Sequence, residues 1–153
     1  MTREQLVAFI RRHRWGVVSS IAAGGDVGQP QSAVVGVAVS DQLELVFDTL
    51  ESTRKARNLR RDPRIAAVIG WDQEQTVQLE GVADEPAGTE LERLQSCYFA
   101  HFSDGPSRLS WPGITYFRVR PTWIRFSDFR AGAAGPGGQP LVIERSGHEW
   151  TRA

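Results

Sequence analysis

The sequence predicts a mainly β protein: an antiparallel barrel closed on itself, with helices packed against its outside. Two observations carry this. Roughly six or seven apolar runs follow one another with strand-like alternation, most of them joined by short turns. Helical periodicity is confined to a capped segment at the start, a short basic segment between strands and one longer late segment, a pattern that suits helices flanking a barrel. The 153 residues are 41% apolar and 24% charged with a formal net charge of zero, which fits one globular domain long enough to bury a core. Residues 1–130 read as that domain, and residues 131–153 as a flexible linker and short tail.

Residues 2–13 read as the first helix, with Thr2 and Gln5 at capping-box spacing and Leu6, Phe9 and Ile10 on one face. Residues 15–22 form a strand, and 23–30 a Gly-rich hairpin turn without a phosphate-loop pattern. Residues 32–39 form the next strand, apolar on both sides. Gly36 inside it weakens the strand but lets another group approach the backbone. Leu43, Leu45 and Phe47 alternate with Glu44, Val46 and Asp48, the pattern of a half-buried strand. A short helix over 54–61 stops at Asp62-Pro63 and leads directly into a strand over 64–71. After a turn at 72–75, a strand over 76–84 places Val77, Leu79, Gly81 and Ala83 on one face. Thr89 and Glu92 have capping-box spacing, and Leu91, Leu94, Tyr98 and Phe102 make the apolar stripe of a helix over about 90–101. Cys97 lies beside that stripe as a small core filler. Residues 103–112 are a loop carrying Trp111. Strands over 114–120 and 122–129 are separated at Pro121. Residues 141–150 read as a last strand docking elsewhere, with a partner chain as one candidate.

Residues 47–81 are where the chemistry concentrates. Thr49, Ser52 and Thr53 come just before the short helix, and Arg54 and Lys55 just inside it. Backbone N–H groups at a helix start lack partners and carry partial positive charge. These five residues therefore make a candidate phosphate cradle. Ordinary N-capping and a solvated basic face account for the same residue types more simply. The sign of the charges favours the anion, because cations in a first turn oppose the macrodipole and a bound dianion removes the conflict. Arg54, Lys55, Arg57, Arg60, Arg61 and Arg64 gather against a single Asp62, and Lys55 is the only lysine in the chain.

The run FDT…STRKARNL..DPR, the strand ending at Trp71 and the following VQLEG.A resemble the pyridoxamine 5′-phosphate oxidase family of split β-barrels. The later RPTWIRFSDF resembles that family's late strand pair, so the likeness spans roughly 15–129. It implies a split β-barrel of the FMN-binding type and a homodimer with two FMN sites at the subunit interface. By position, Arg54 and Lys55 grip the FMN phosphate, with hydroxyls from Thr49 and Thr53 beside them. Val34, Val35 and Gly36 lie along the isoalloxazine and ribityl, Gly36 suiting a flat ring that passes close. Gln75 or Thr76 approaches the ring or phosphate from the next hairpin. Two departures bear on activity. The oxidases proper carry an Arg near Ala33 and a Lys near Ala38, and a C-terminal Arg/His pair for the substrate phosphate. None is recognisable here, and His148 and Trp150 are at best a remnant of the pair.

The first functional expectation is an FMN-dependent oxidoreductase of unknown substrate, with no catalytic residue assigned. Arg118, Arg125 or Arg130 is the candidate cation for the reduced ring, and Trp111 either stacks on flavin or substrate or covers the barrel mouth. A deazaflavin cofactor on the same fold is the nearest alternative. A non-catalytic flavin or haem carrier, or a stress-related binding protein, is the alternative from another class. Zero net charge and the lack of aromatic residues among the basic ones argue against nucleic acid. His13, His101 and His148 have no metal-ligand spacing. One cysteine, no secretory core and no membrane-length apolar run point to the cytoplasm.

Overall fold

The computed structural model describes residues 1–25, 28–133, 135 and 141–146. Helix α1 (Arg3–Arg11) is followed by strands β1 (Trp15–Ile21), β2 (Pro30–Gly36), β3 (Ala38–Val39) and β4 (Leu45–Leu50). Then come helix α2 (Arg54–Arg61), strands β5 (Arg64–Ile69) and β6 (Gln75–Asp84), helix α3 (Gly88–His101), a 3₁₀ turn (Gly105–Ser110), and strands β7 (Ile114–Asp128) and β8 (Leu141–Ser146). All strand pairings are antiparallel, in the order β2-β1-β5-β6-β7-β4-β3, with β8 added to β7. A single residue, Val37, links β2 at one end of that order to β3 at the other. Consecutive Cα atoms lie about 3.8 Å apart, so the two ends must adjoin and the sheet must curl. No β2–β3 ladder forms, and the barrel is split along that seam. The expected fold class holds, with eight strands against the six or seven expected.

The inside of the curl is the main core, where Leu6, Phe9 and Ile10 of α1 and Ala56 and Leu59 of α2 meet Phe47, Ile69, Leu79, Phe117 and Phe126. The Thr2–Gln5 capping box forms as expected. On the opposite face, α3 packs Leu94, Tyr98 and Phe102 over Ala38, Val46 and Tyr116. This corrects the reading of β4 as half-buried: α3 covers its second face, so Val46 is as buried as Phe47. The expected Thr89–Glu92 box does not form. The α3 N-cap is Ala87, without a side-chain bond, and Glu90 pairs with Arg93 and Arg118 instead. The break expected at Pro121 is a bulge inside one long strand, where the β6–β7 register shifts after Glu80. Residues 141–146 pair with β7 of their own chain. His148 and Trp150 lie outside the described residues, as does most of the expected linker.

Gly81 sits at that bulge, and a Cβ there would run into the Arg120 carbonyl oxygen. Backbone cannot yield as a side-chain end can. Gly81→Ala is expected to lose about 1–3 kcal/mol of stability, the usual cost of overpacking, read as a lowered denaturant midpoint at unchanged slope. Among the described residues no helix is long and apolar enough to cross a membrane.

Candidate functional site

Helix α2 begins and ends where its sequence says. The Thr53 hydroxyl accepts the Ala56 N–H, no acid lies in the first turn, and Asp62 is the C-cap. Asn58, almost fully buried, docks the helix against the β1–β2 hairpin. Its amide donates to Ser20 Oγ and Gln31 Oε1, both at 3.0 Å, and its carbonyl accepts the Ala23 N–H at 2.9 Å. Gln31 Oε1 also accepts from Arg54 Nε at 3.1 Å. A side chain fixed by Asn58 thus holds the Arg54 guanidinium beside β2. Sequence reasoning missed Ser20, Gln31 and Asn58, because their meeting depends on the fold.

The six cations of the basic segment separate into two groups. Arg57 donates to the Ser52 carbonyl, and Arg61 to the Ala23 carbonyl. Arg60 makes two bonds to the Glu85 carboxylate, at 3.0 and 2.8 Å, and Arg64 pairs with Asp62 at 2.6 Å. These four are committed to structure. Arg54 has only the neutral Gln31, and Lys55 has no hydrogen bond or ion pair among the described residues. Burial alone pushes the half-buried Lys55 ammonium below the usual lysine range. A partly desolvated, unpaired cation at the positive end of a helix is poorly placed for stability and well placed for an anion.

Both residues line an open cleft of about 570 Å³ with Thr53, Ser20, Gln29, Pro30, Gln31, Ser32 and Ala33. Its floor is the edge strand β2, whose outer backbone groups have no ladder partner. The donor set is that of a phosphate site: an ammonium, a guanidinium, hydroxyls and helix-start N–H groups. The residues present therefore fit the phosphate end of a flavin mononucleotide.

The remaining expected site residues are less closely gathered. Thr49 Oγ1 lies 3.1 Å from Thr53 Oγ1, so the hydroxyl pair is in place, and the exposed Ser52 takes part through its carbonyl. Val34 continues β2 beyond the cleft and is 62% exposed, whereas Val35 points into the core. Gly36 does take a flat ring at close range, but the ring is Phe102: a Cβ would meet Phe102 Cζ at 2.8 Å. Gln75 and Thr76 start β6, separated from β2 by β1 and β5, so the fold of this chain does not bring them to the cleft. The Gln75 amide donates to the buried Asp128 at 2.8 Å, and Thr76 Oγ1 is buried without a partner. Trp111 is half exposed at the end of the 3₁₀ turn. It leads into Gly113, whose carbonyl accepts the Glu51 N–H at 2.8 Å, which sets this loop against the turn before α2. Cys97 donates to the Val39 carbonyl at 3.3 Å, and burial raises its pKa, so it is a filler as expected. Among the described residues no group of acids, histidines and cysteine could hold a metal ion.

The sequence model of the family described as pyridoxamine 5′-phosphate oxidase matches residues 2–128. The pyridoxine/pyridoxamine 5′-phosphate oxidase of Burkholderia lata is 32% identical over 82 residues, 53% of this chain and 36% of that protein, so the match spans about a third of that relative's length. A heme binding protein from Mycobacterium smegmatis superposes with a TM-score of 0.76 at 18% identity, covering 98% of this chain and 60% of that one. A pyridoxamine 5′-phosphate oxidase-related, FMN binding protein from Nostoc punctiforme gives 0.64 at 11% identity, with 94% of each chain covered. At these identities the two structures speak for the fold.

Proposed function

The chain belongs to the pyridoxamine 5′-phosphate oxidase family, and from that premise we propose that it binds FMN in the α2–β2 cleft and works as a flavin-dependent oxidoreductase. The observation that carries this is the pair Arg54 and Lys55, the two cations of the basic segment bonded neither to an acid nor to a backbone carbonyl among the described residues, both facing the cleft. FMN, when bound, supplies the electron-transfer chemistry. The chain's own residues do the holding. Lys55 and Arg54 clamp the phosphate, Thr53 and Thr49 fill in around it, Gln31 aims Arg54, and the free edge of β2 offers N–H and C=O groups along the ring. We place the protein in the cytoplasm, in line with its single cysteine.

The proposal includes a homodimer. Apart from the Gly36 end of β2, which Phe102 covers, no helix of the described residues lies over the outer face of β2, β1, β5 and β6, and that face exposes Val34 and Trp15 to about half or more of their surface. A second copy against that face would cover these residues and bring Gln75 and Thr76 of one chain toward the cleft of the other.

The direct test is to incubate the cofactor-free protein with FMN, a deazaflavin mononucleotide and haem. Stoichiometric FMN uptake with a shifted visible spectrum is expected, followed by bleaching with a nicotinamide reductant. Uptake of haem alone would support the carrier reading suggested by the mycobacterial structure and contradict this one. Preference for the deazaflavin would keep the cleft and change the cofactor.

The affinity should also depend on pH at both ends. A phosphate monoester's second pKa is about 6, so binding weakens below that as the dianion is protonated. Lys55 has a depressed pKa, so binding weakens at alkaline pH before an ordinary lysine would discharge. Titrations from pH 5 to 10 read both limbs; a flat profile would contradict the clamp.

A further inference from the structure

The sheet carries a second hollow, of about 410 Å³, on the face turned away from the core, where β2, β1, β5 and β6 run side by side. The register shows why it is there. Ser32, Ser19, Ala66 and Glu80 form one outward row across those four strands. In the row beside it, Ile21 pairs with Pro30 and Arg64 with Val82. Three small side chains therefore make a trough, and the larger Ile21 and Val82 make its wall. Val82 is 41% exposed, so this wall leaves apolar surface open to water. The trough ends at Glu80, whose exposed carboxylate has no hydrogen bond or ion pair among the described residues.

The trough opens onto the phosphate cleft. Pro30 and Ser20 line both. Ser32 stands on the cleft side and Ser19 on the trough side, and their exposed hydroxyls share a hydrogen bond of 2.8 Å. Nothing larger than that hydroxyl pair and Pro30 separates the two hollows. At about 4.8 Å per strand, Ser32 to Glu80 is roughly 14 Å, room for a sugar and a base laid end to end. The pairing of copies proposed above rests on Trp15 and Val34, nearer the start of β1. Pro30 is about 13 Å along β2 from Val34 at the usual rise of a strand.

We infer that the trough is a subsite for the adenylate half of a flavin dinucleotide, so that the cleft accepts FAD as well as FMN. This rests on the flavin reading above. A pyrophosphate carries about the same two negative charges as the terminal phosphate of FMN, so Arg54 and Lys55 balance either ligand. The second phosphate meets the Ser19 and Ser32 hydroxyls, which can each donate to it in place of their mutual bond. The flat base lies on Ala66 with Ile21 and Val82 at its side, the mostly apolar lining usual for a small-molecule site. Ionised Glu80 is an acceptor only, which suits the adenine amino group or the ribose hydroxyls. Its charge also repels a further phosphate at that end, so the ligand class is a plain adenosine and not a phosphorylated one.

The test titrates the cofactor-free full chain with FMN and with FAD by calorimetry, as wild type, Ala66→Trp and Glu80→Ala. Wild type is expected to bind FAD about tenfold more tightly than FMN. Ala66→Trp fills the trough, so its affinity for FAD falls at least about tenfold while that for FMN stays within about twofold. Glu80→Ala removes one acceptor and leaves the floor intact, so FAD weakens about three- to tenfold, the usual worth of one hydrogen bond, with FMN unmoved. This exposed substitution decides the matter even where the tryptophan variant melts low. FAD bound no more tightly than FMN by wild type, or bound equally by wild type and Glu80→Ala, overturns this inference and leaves the cleft assignment standing. A wild type that takes up neither flavin overturns both. An Ala66→Trp chain that sediments as a smaller species and still binds FAD normally would make the trough a contact between copies, and overturns the adenylate subsite as well.

Discussion

Replacing Arg54 and Lys55 together with alanine is expected to weaken FMN binding by about 10²- to 10⁴-fold. Each charge-assisted bond to an anion is worth about 1.5–3 kcal/mol, and the pair holds one phosphate, so the two losses fall on the same group. The same double variant is expected to melt a few degrees higher without cofactor. Both cations sit in the first turn of α2, where they oppose the helix dipole. Lys55 is also partly desolvated with nothing to compensate it. A variant that binds worse and folds better is the signature of residues kept for a ligand. Unchanged affinity, or lost affinity accompanied by a lower melting temperature, would make these side chains structural. Titration and thermal melts of one preparation give both numbers.

Arg118→Met is expected to be the most damaging substitution for the fold, at about 3–5 kcal/mol, the usual cost of breaking a buried pair on one side. Arg118 is 7% exposed and meets Asp84 at 2.7 Å, Glu90 at 2.9 Å and Glu44 at 3.4 Å. Glu44 is as buried as Arg118 and would keep only Arg93 and the Ser40 hydroxyl. At about 2–4 °C per kcal/mol for a chain of this size, the melting temperature should fall by about 6–20 °C. The gap should narrow in acid. Hydrogen bonds from Arg118 hold Asp84 below the usual aspartate range. A carboxylate with a depressed folded pKa adds stability above its unfolded pKa, near 4, and loses it as pH falls through the folded value. Melts near neutrality and near pH 3 test this: a gap equal at both would mean that the arginine acts by packing alone.

The local parts of this structure were legible in the sequence, and the non-local parts were not. Asp62-Pro63, the Thr53 cap and the charge run define α2 within a few residues of chain, and the helix forms over those bounds. The Thr2–Gln5 box is equally local and forms. Thr89 and Glu92 had the same spacing and failed, because the helix begins two residues earlier with Ala87 as its N-cap, which leaves Thr89 inside the first turn. The alternation in β4 suggested one solvated face, since nothing in those six residues announces that α3 lies across it. Pro121 signalled a break, but β6 continues past it and holds β7 together through a bulge. Gly36 announced a close ring correctly and could not say whose ring it was.

The site divides in the same way. Arg54, Lys55, Thr49 and Thr53 were visible because charge sign and helix register are local properties. Their sorting into free and committed cations was not, because it depends on Glu85, the Ala23 carbonyl and the Ser52 carbonyl. Asn58 and Gln31 drew no notice as single polar residues, although together they join three elements behind the proposed phosphate clamp. Arg125 was one of three candidate arginines in the sequence. Only the ion pairs of the other two distinguish it.

The measurement that bears most directly on the phosphate clamp is a pair of titrations of cofactor-free wild type, one with FMN and one with riboflavin, at the same ionic strength. The two ligands share the ring and the ribityl chain and differ in the phosphate alone. If Arg54 and Lys55 hold that phosphate, FMN binds about 10²- to 10⁴-fold more tightly, and the preference collapses in the double alanine variant. Equal affinity for both ligands in the wild type would contradict the clamp, whatever else the cleft binds.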